Sequence, residues 1–307
     1  MDVVCLGILV ADVIARPVDD VPLRGSLGFV DEIRVHGGGC ALNTASALAA
    51  LGLDASVVGK VGADPLGDVL LRLLDERGVG RGGVIREAGV DTSATVVLVD
   101  SAGERTFLHA PGANGALGEG ELDPRTLYAG RALHLAGALV LERLDGEPLA
   151  RIAAEARRRG VLTSLATVWD PTGRWSRLEP CLPHLDLAVV SLAEGRALSG
   201  EVEPPRVADW LRARGVGEVA LTMGERGCYV AGETFAGHVP APAIDAVDGT
   251  GAGDAFAAGM LYGKLAGRPL ERCARLGCAA GAATVMTVGA TLGGRGLDEV
   301  LELAEIV

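Results

Sequence analysis

The chain has 307 residues and 31.3 kDa, is 49% hydrophobic and 22% charged, and can bury about three quarters of its unfolded surface, which excludes a disulfide-dense mini-protein, a collagen and a disordered tail. Its net charge of −12, from 28 basic and 40 acidic residues, is spread without a block of like charge, so neither nucleic acid nor an anionic membrane is expected as a partner. With 45 glycines and 3% aromatic residues, the chain suits ligands cradled by its main chain.

The first ten residues are apolar apart from Asp2, carry no basic leader and are closed by Asp12, which predicts a first strand and no signal peptide. Residues 13–35 and 91–114 contain alternating stretches, Val13–Val35 and Thr92–His109, with Asp100–Glu104 as a hairpin tip. They predict a small β-sheet inserted in two pieces into an α/β body of residues 1–12, 36–90 and 115–307, placed as a lid that excludes water. Two edge hairpins with no moving role are the alternative. A helix is expected over Thr44–Leu51. The middle then alternates: strand Arg131–Val140, helix Glu147–Arg159, strands Val161–Leu165 and Leu185–Val190, helix Val207–Arg214, strand Glu218–Thr222, helix Ala252–Leu265. Such alternation predicts a parallel sheet covered on both faces. Arg157–Arg159 reads as the solvated end of its helix, and the uncharged stretch Leu276–Gly294 as a buried helix and a turn rather than a membrane span. Six cysteines without a Cys-x-x-Cys pair read as reduced thiols of a cytoplasmic protein.

The strongest chemical signal is Val247-Asp-Gly-Thr-Gly-Ala-Gly-Asp-Ala-Phe256, before a helix of small residues. The amides of residues 251 to 254 can converge on one point that the helix dipole makes attractive to anions. Asp254, in that first turn, is poorly explained as a phosphate binder and better explained as a general base for an attacking hydroxyl. A helix start capped by Asp248 or Thr250 is the alternative. The segment is not a dinucleotide fingerprint, because Phe256 stands where a third glycine belongs, and Gly59-Lys60 and Gly263-Lys264 lack the spacing of a Walker loop. A second cluster, His36-Gly-Gly-Gly-Cys-Ala-Leu-Asn43, offers Asn43 as donor and acceptor for vicinal hydroxyls, and Asp12 could accept from two such groups. Singly, these read as a helix entry turn, a cap and a strand-end acid.

With these motifs the whole chain resembles a PfkB-type, ribokinase-like carbohydrate kinase. One signature is Gly38-Gly39-x-x-x-Asn43-x-Ala45, continuing to Gly52 and Gly62; the other is Asp248-x-Thr250-Gly251-Ala252-Gly253-Asp254. Between them stand Gly62-x-Asp64-x-x-Gly67, Gly103-Glu104-Arg105, Gly112-Ala113-Asn114 and Thr222-x-Gly224-x-x-Gly227. The resemblance implies an α/β three-layer sandwich with a central, mostly parallel sheet and a β-sheet lid, and transfer of the ATP γ-phosphoryl group to a hydroxyl of a sugar-like alcohol. By analogy Asp254 is the base, and the amides of Gly251, Ala252 and Gly253 hold the developing charge. Asp12, Gly38, Gly39, Asn43 and Glu142 correspond to substrate-holding positions, and Thr222, Gly224, Gly227 and Cys278 to nucleotide-contacting ones. Glu194 would hold Mg²⁺ through water, and Asp248, Thr250 and the turn at Gly289 resemble a loop for K⁺. The family's Asn-x-x-Glu appears as Ser191-Leu-Ala-Glu194, so an altered magnesium response is expected; Gly249 stands where a small branched residue is common. A homodimer through the lid is expected. A nucleoside kinase and a non-catalytic binding relative are the alternatives, the first weakened by the scarcity of aromatic faces beyond Phe29, Phe107 and the nearby His36 and His109. Arg105 reads as a solvated hairpin arginine, or as a partner for a carboxylate-bearing sugar.

Overall fold

A computed structural model describes residues 1–287, 289–290 and 292–306. Val288 and Thr291, inside the stretch read as a helix and a turn, and Val307 lie outside the described residues. In chain order the strands are β1 (Val3–Gly7), β2 (Val10–Arg16), β3 (Glu32–Gly38), β4 (Ala55–Gly62), β5 (Gly80–Glu87), β6 (Ala94–Val99), β7 (Arg105–Ala110), β8 (Ala132–Ala138), β9 (Leu162–Thr167), β10 (Leu187–Ser191), β11 (Glu218–Thr222), β12 (Cys228–Ala231) and β13 (Ala236–Val239). The helices are α1 (Cys40–Ala50), α2 (Pro65–Glu76), α3 (Gly112–Ala116), α4 (Pro124–Leu127), α5 (Glu147–Arg158), α6 (Leu192–Ser199), α7 (Pro204–Ala213), α8 (Ala252–Leu265), α9 (Leu270–Val285) and α10 (Leu297–Glu305).

Nine strands form one sheet in the order β13-β12-β11-β10-β9-β8-β1-β4-β5. Pairings from β5 to β11 are parallel, and β12 and β13 add an antiparallel edge. Its inner strands are largely buried and mostly apolar because helices cover both faces: Val3 and Cys5 pack with α1, α8 and α9, whereas Val4 and Leu6 pack with α5 on the other side. Small residues let α8 and α9 approach closely; a Cβ on Gly259 would stand 2.4 Å from the Leu276 carbonyl oxygen.

The second sheet has four strands in the order β3-β2-β6-β7. Register places His36, Asp12, Thr95 and His109 in one row across it, and Ile14, Val97 and Phe107 in the next row on the same face. The opposite face carries Val13, Val35, Val96 and Leu108. Two family motifs tie this sheet to the body. Asn114 exchanges bonds with the Leu9 main chain at 3.1 and 2.9 Å, and Asp64 caps α2 while accepting from the Thr92 amide and hydroxyl at 2.7 Å each.

Three expectations change. The first strand ends at Gly7, so Asp12 belongs to β2 of the small sheet rather than to a strand end of the body. The helix expected from Thr44 begins at Cys40, because Gly39 at φ 90° turns the chain directly into it; Asn43 is therefore inside the first turn and is not its cap. The strand expected over Arg131–Val140 stops at Ala138, where Gly137 and Leu139 take φ of 84° and 86° and end the extended run.

Candidate active site

α8 starts without a side-chain cap among the described residues; its N-cap is Gly251 in the left-handed region at φ 76°. A Cβ there would meet the Ala290 Cβ at 2.6 Å, so both the backbone conformation and the space require glycine. Among the described residues the amides of Gly251, Gly253 and Asp254 have no main-chain partner, and Ala252 has only a 3.4 Å bond to the Gly249 carbonyl. These are the orphan donors of a helix start, and a Cβ on Gly253 would meet nothing within 4 Å. The capped-start alternative for Asp248 and Thr250 does not hold: Asp248 instead accepts from the Thr250 amide at 2.8 Å and the Gly289 amide at 2.9 Å. Burial pushes the Asp248 carboxyl up, but the Gly289 and Thr250 donors and Arg105 outweigh it and bring it down to about 2.

The cradle opens on a cavity of about 680 Å³. Its wall unites Thr222 from the end of β11, Gly224 and Gly227 from the following turn, Cys278 from α9, and Ala252 and Gly253. The Cys278 thiol lies 3.7 Å from the Cys228 sulfur. Sequence reasoning missed Ala241, Pro242 and Ile244 in this wall, and also Phe256. Pro240 and Pro242 signal a strand end, and nothing in that stretch signals a ligand.

On the other side of the cradle α1 approaches α8. The Asn43 amide nitrogen donates to Asp254 Oδ2 at 2.8 Å. Burial pushes the Asp254 carboxyl up and the Glu194 charge adds to this, while Asn43 and Cys40 oppose it. A carboxylate so raised is a better proton acceptor than an exposed one. Asn43 Oδ1 is buried and has no hydrogen-bond partner among the described residues, which leaves a directed acceptor for a ligand hydroxyl. Asp12, on β2, sits against Gly38, whose ideal Cβ position lies 2.1 Å from Asp12 Oδ2. Burial raises the Asp12 carboxyl to about 6 against the Thr95 hydroxyl, which lowers it; Thr95 in turn lies 3.1 Å from His109 Nδ1.

Glu194 sits in the first turn of α6, where Ser191 is the N-cap. Glu194 Oε2 accepts from the Ser191 amide and the Thr167 hydroxyl at 2.9 Å each, and the Ser191 hydroxyl accepts from the Glu194 amide at 3.2 Å. Serine thus fills the capping role open to asparagine, and the departure from the family pattern leaves the helix start intact. Glu194 Oε1 makes no hydrogen bond among the described residues. No cluster of three or more His, Cys, Asp or Glu residues able to hold a metal occurs among them either. A hard oxygen ligand of this kind fits Mg²⁺, which is commonly held by one or two carboxylates, substrate phosphates and water.

Two candidates fall elsewhere. Glu142 is exposed and paired with Arg174 at 2.8 Å and with Arg177 at 3.6 Å; the buried acid of that strand end is Asp145, which accepts from the Leu139 and Leu141 amides at 2.9 Å each. Arg105 is not a solvated hairpin arginine: its guanidinium donates to Asp248 and Thr250 in the loop leading to the cradle. No local pattern signals either outcome, since both depend on contacts between residues distant in sequence.

The fold is that of the ribokinases. A structure of Arabidopsis thaliana ribokinase superposes with a TM-score of 0.86 at 22% identity, covering 100% of this chain and 99% of that one. Among curated relatives, an ATP-dependent ribose-1-phosphate kinase of Halopiger xanaduensis is 36% identical over 276 residues, 89% of this chain and 88% of that protein. A fructokinase of Klebsiella pneumoniae is 34% identical over 235 residues, 74% and 76% of the two chains. Residues 1–294 match the pfkB family of carbohydrate kinases, and the chain belongs to that family. It is a phosphotransferase acting on a carbohydrate alcohol.

Proposed function

We propose that the chain transfers the γ-phosphoryl group of ATP to a sugar hydroxyl held between the small sheet and the start of α8. The observation that carries this reading is the Asn43–Asp254 contact beside a cradle of unpaired amides that opens on the 680 Å³ cavity. ATP occupies the cavity against Thr222, Gly224, Gly227 and Cys278, with its terminal phosphate at the amides of Gly251, Ala252 and Gly253. Asp12, Asn43 and the main chain at Gly38 and Gly39 orient the acceptor. Asp254 takes the proton of the attacking hydroxyl, and the cradle stabilises the charge on the transferring group. The Arabidopsis ribokinase structure holds ribose and ATP, and an E. coli structure of the same fold holds ATP and Mg²⁺. Here Mg²⁺, reached through water by Glu194, would neutralise phosphate charge. The side chains of Asp248 and Thr250 are committed to internal partners, so any K⁺ would rest on main-chain carbonyls.

The same reading makes the small sheet a lid and its outer face a contact between two copies. Ile33, Val35 and Leu108 are exposed there at 66%, 44% and 62%, with Phe29 at 92% in the adjoining segment. An apolar face of that kind suits a second copy better than water; light scattering after gel filtration should give a dimer, and a monomer at micromolar concentration would refute it. Six free cysteines suit a reducing cytoplasm. No helix among the described residues is long and apolar enough to cross a membrane.

The test is ATP-to-ADP turnover with ribose 1-phosphate, ribose, fructose, other keto sugars and nucleosides, with Asp254→Asn as control. Turnover of one sugar, reduced about 10²–10⁴-fold in the variant, is the expected result. Wild-type turnover by the variant would refute the base assignment, and turnover of nucleosides alone would assign Phe107, which shares the face of Arg105, to base stacking.

A further inference from the structure

We propose that Arg105 is a positioning residue that locks the small sheet onto the loop feeding the anion cradle, so that closure over the acceptor and shaping of the cradle are one event. β7 is an edge strand exposed from Thr106 to Ala110, and Arg105 is its one partly buried residue. The hairpin beneath it is a fixed base. Asp100 accepts from the Ala102 and Glu104 amides at 2.9 and 2.8 Å, and the Ser101 amide and hydroxyl both donate to Asp19 at 2.8 Å.

From that base the guanidinium reaches two acceptors, the Asp248 carboxylate and the Thr250 hydroxyl. Asp248 is 9% exposed, and its other donors are the Thr250 and Gly289 amides. One carboxylate therefore joins three segments: its own loop, the turn at Gly289 and the small sheet. Gly251, the left-handed residue that aims the cradle, follows Thr250 directly. A planar fork with two acceptors in one loop fixes orientation as well as distance, which an ammonium on a flexible stem does not. The Arg105 side chain is itself 29% exposed, so water can compete for it and the contact can open and re-form. In the open state Asp248 keeps its two amide donors but loses its cation, and the loop is no longer registered to the sheet that covers the acceptor.

The proposal rests on the kinase activity of the family and not on the acceptor's identity. Hydrogen–deuterium exchange on the full chain tests it without an acceptor. In Arg105→Met the amides of Asp248, Thr250 and Gly289, which are hydrogen-bonded in the closed loop, should exchange about 10- to 100-fold faster, the range expected for losing a charge-assisted pair, while β1 and β8 keep their protection. Arg105→Lys should fall between the two. ATP affinity should stay within about twofold, because Arg105 does not line the cavity, and ATP hydrolysis without acceptor should rise relative to transfer. Unchanged exchange of the loop in Arg105→Met overturns the lock. So does ATP binding weakened tenfold with exchange unchanged, which would make Arg105 a phosphate ligand. Absence of transfer to every acceptor would refute the proposed function and leave the exchange result standing.

Discussion

Gly38→Ala separates acceptor binding from folding. A Cβ at Gly38 would lie 2.1 Å from Asp12 Oδ2, whereas ordinary contact begins at 3.4 Å, so the carboxylate must retreat by about 1.3 Å. The backbone at Gly38 is not in the left-handed region, and the obstructing atom is the end of a side chain rather than main chain. The fold should therefore lose only about 1 kcal/mol, at the low end of overpacking costs. Catalysis should lose more, because displacing a positioning group by about 1 Å costs roughly 100-fold. Steady-state kinetics with the acceptor identified by the turnover panel should show kcat/KM down by about 100-fold, with titration of ATP unchanged and thermal unfolding shifted by a few degrees. A folded variant with kcat/KM within twofold of wild type would show that Asp12 does not hold the acceptor.

Acceptor binding should also depend on pH through Asp12. Burial raises its carboxyl from 3.8 to about 6, and only the ionised form accepts from two hydroxyls, so the acceptor KM should rise as pH falls through 6, by up to about tenfold per pH unit below about 5; a flat KM from pH 8 to 5 would refute this. His134 is fully buried with Nδ1 2.7 Å from the Ser164 hydroxyl, and burial lowers it from 6.5 to about 4. Above pH 6.5 both states are neutral and nothing is lost. Between 6.5 and 4 only the unfolded chain takes the proton, so stability falls by about 3 kcal/mol in total; urea unfolding of His134→Gln should show a smaller acid loss than wild type, and an equal loss would exclude His134 as its source. Ser191→Ala should cost about 1 kcal/mol by removing the cap of α6 and raise the Mg²⁺ concentration needed for half-maximal rate; unchanged magnesium dependence would separate the cap from the metal.

Local chemistry determined much of this chain. Glu218–Thr222 and Ala252–Leu265 occupy the bounds their patterns predict, because a short apolar run and a small-residue helix after a glycine turn need only neighbours along the chain to be specified. The glycines that free the first amides of α8, with Asp254 in its first turn, were legible for the same reason, since they are neighbours along the chain. Boundaries set by a single dihedral, such as Gly39 sending the chain into α1 at Cys40, were not legible from periodicity. The tertiary structure decided what each side chain faces. It brings Asn43 to Asp254 across 211 residues and Arg105 to Asp248 across 143, turns Glu142 out to its arginines, and moves Asp12 onto the small sheet. Those outcomes depend on burial and on partners distant in sequence, and the energy of a buried carboxylate or a guanidinium fork is defined only once the chain has placed its partner within hydrogen-bond reach.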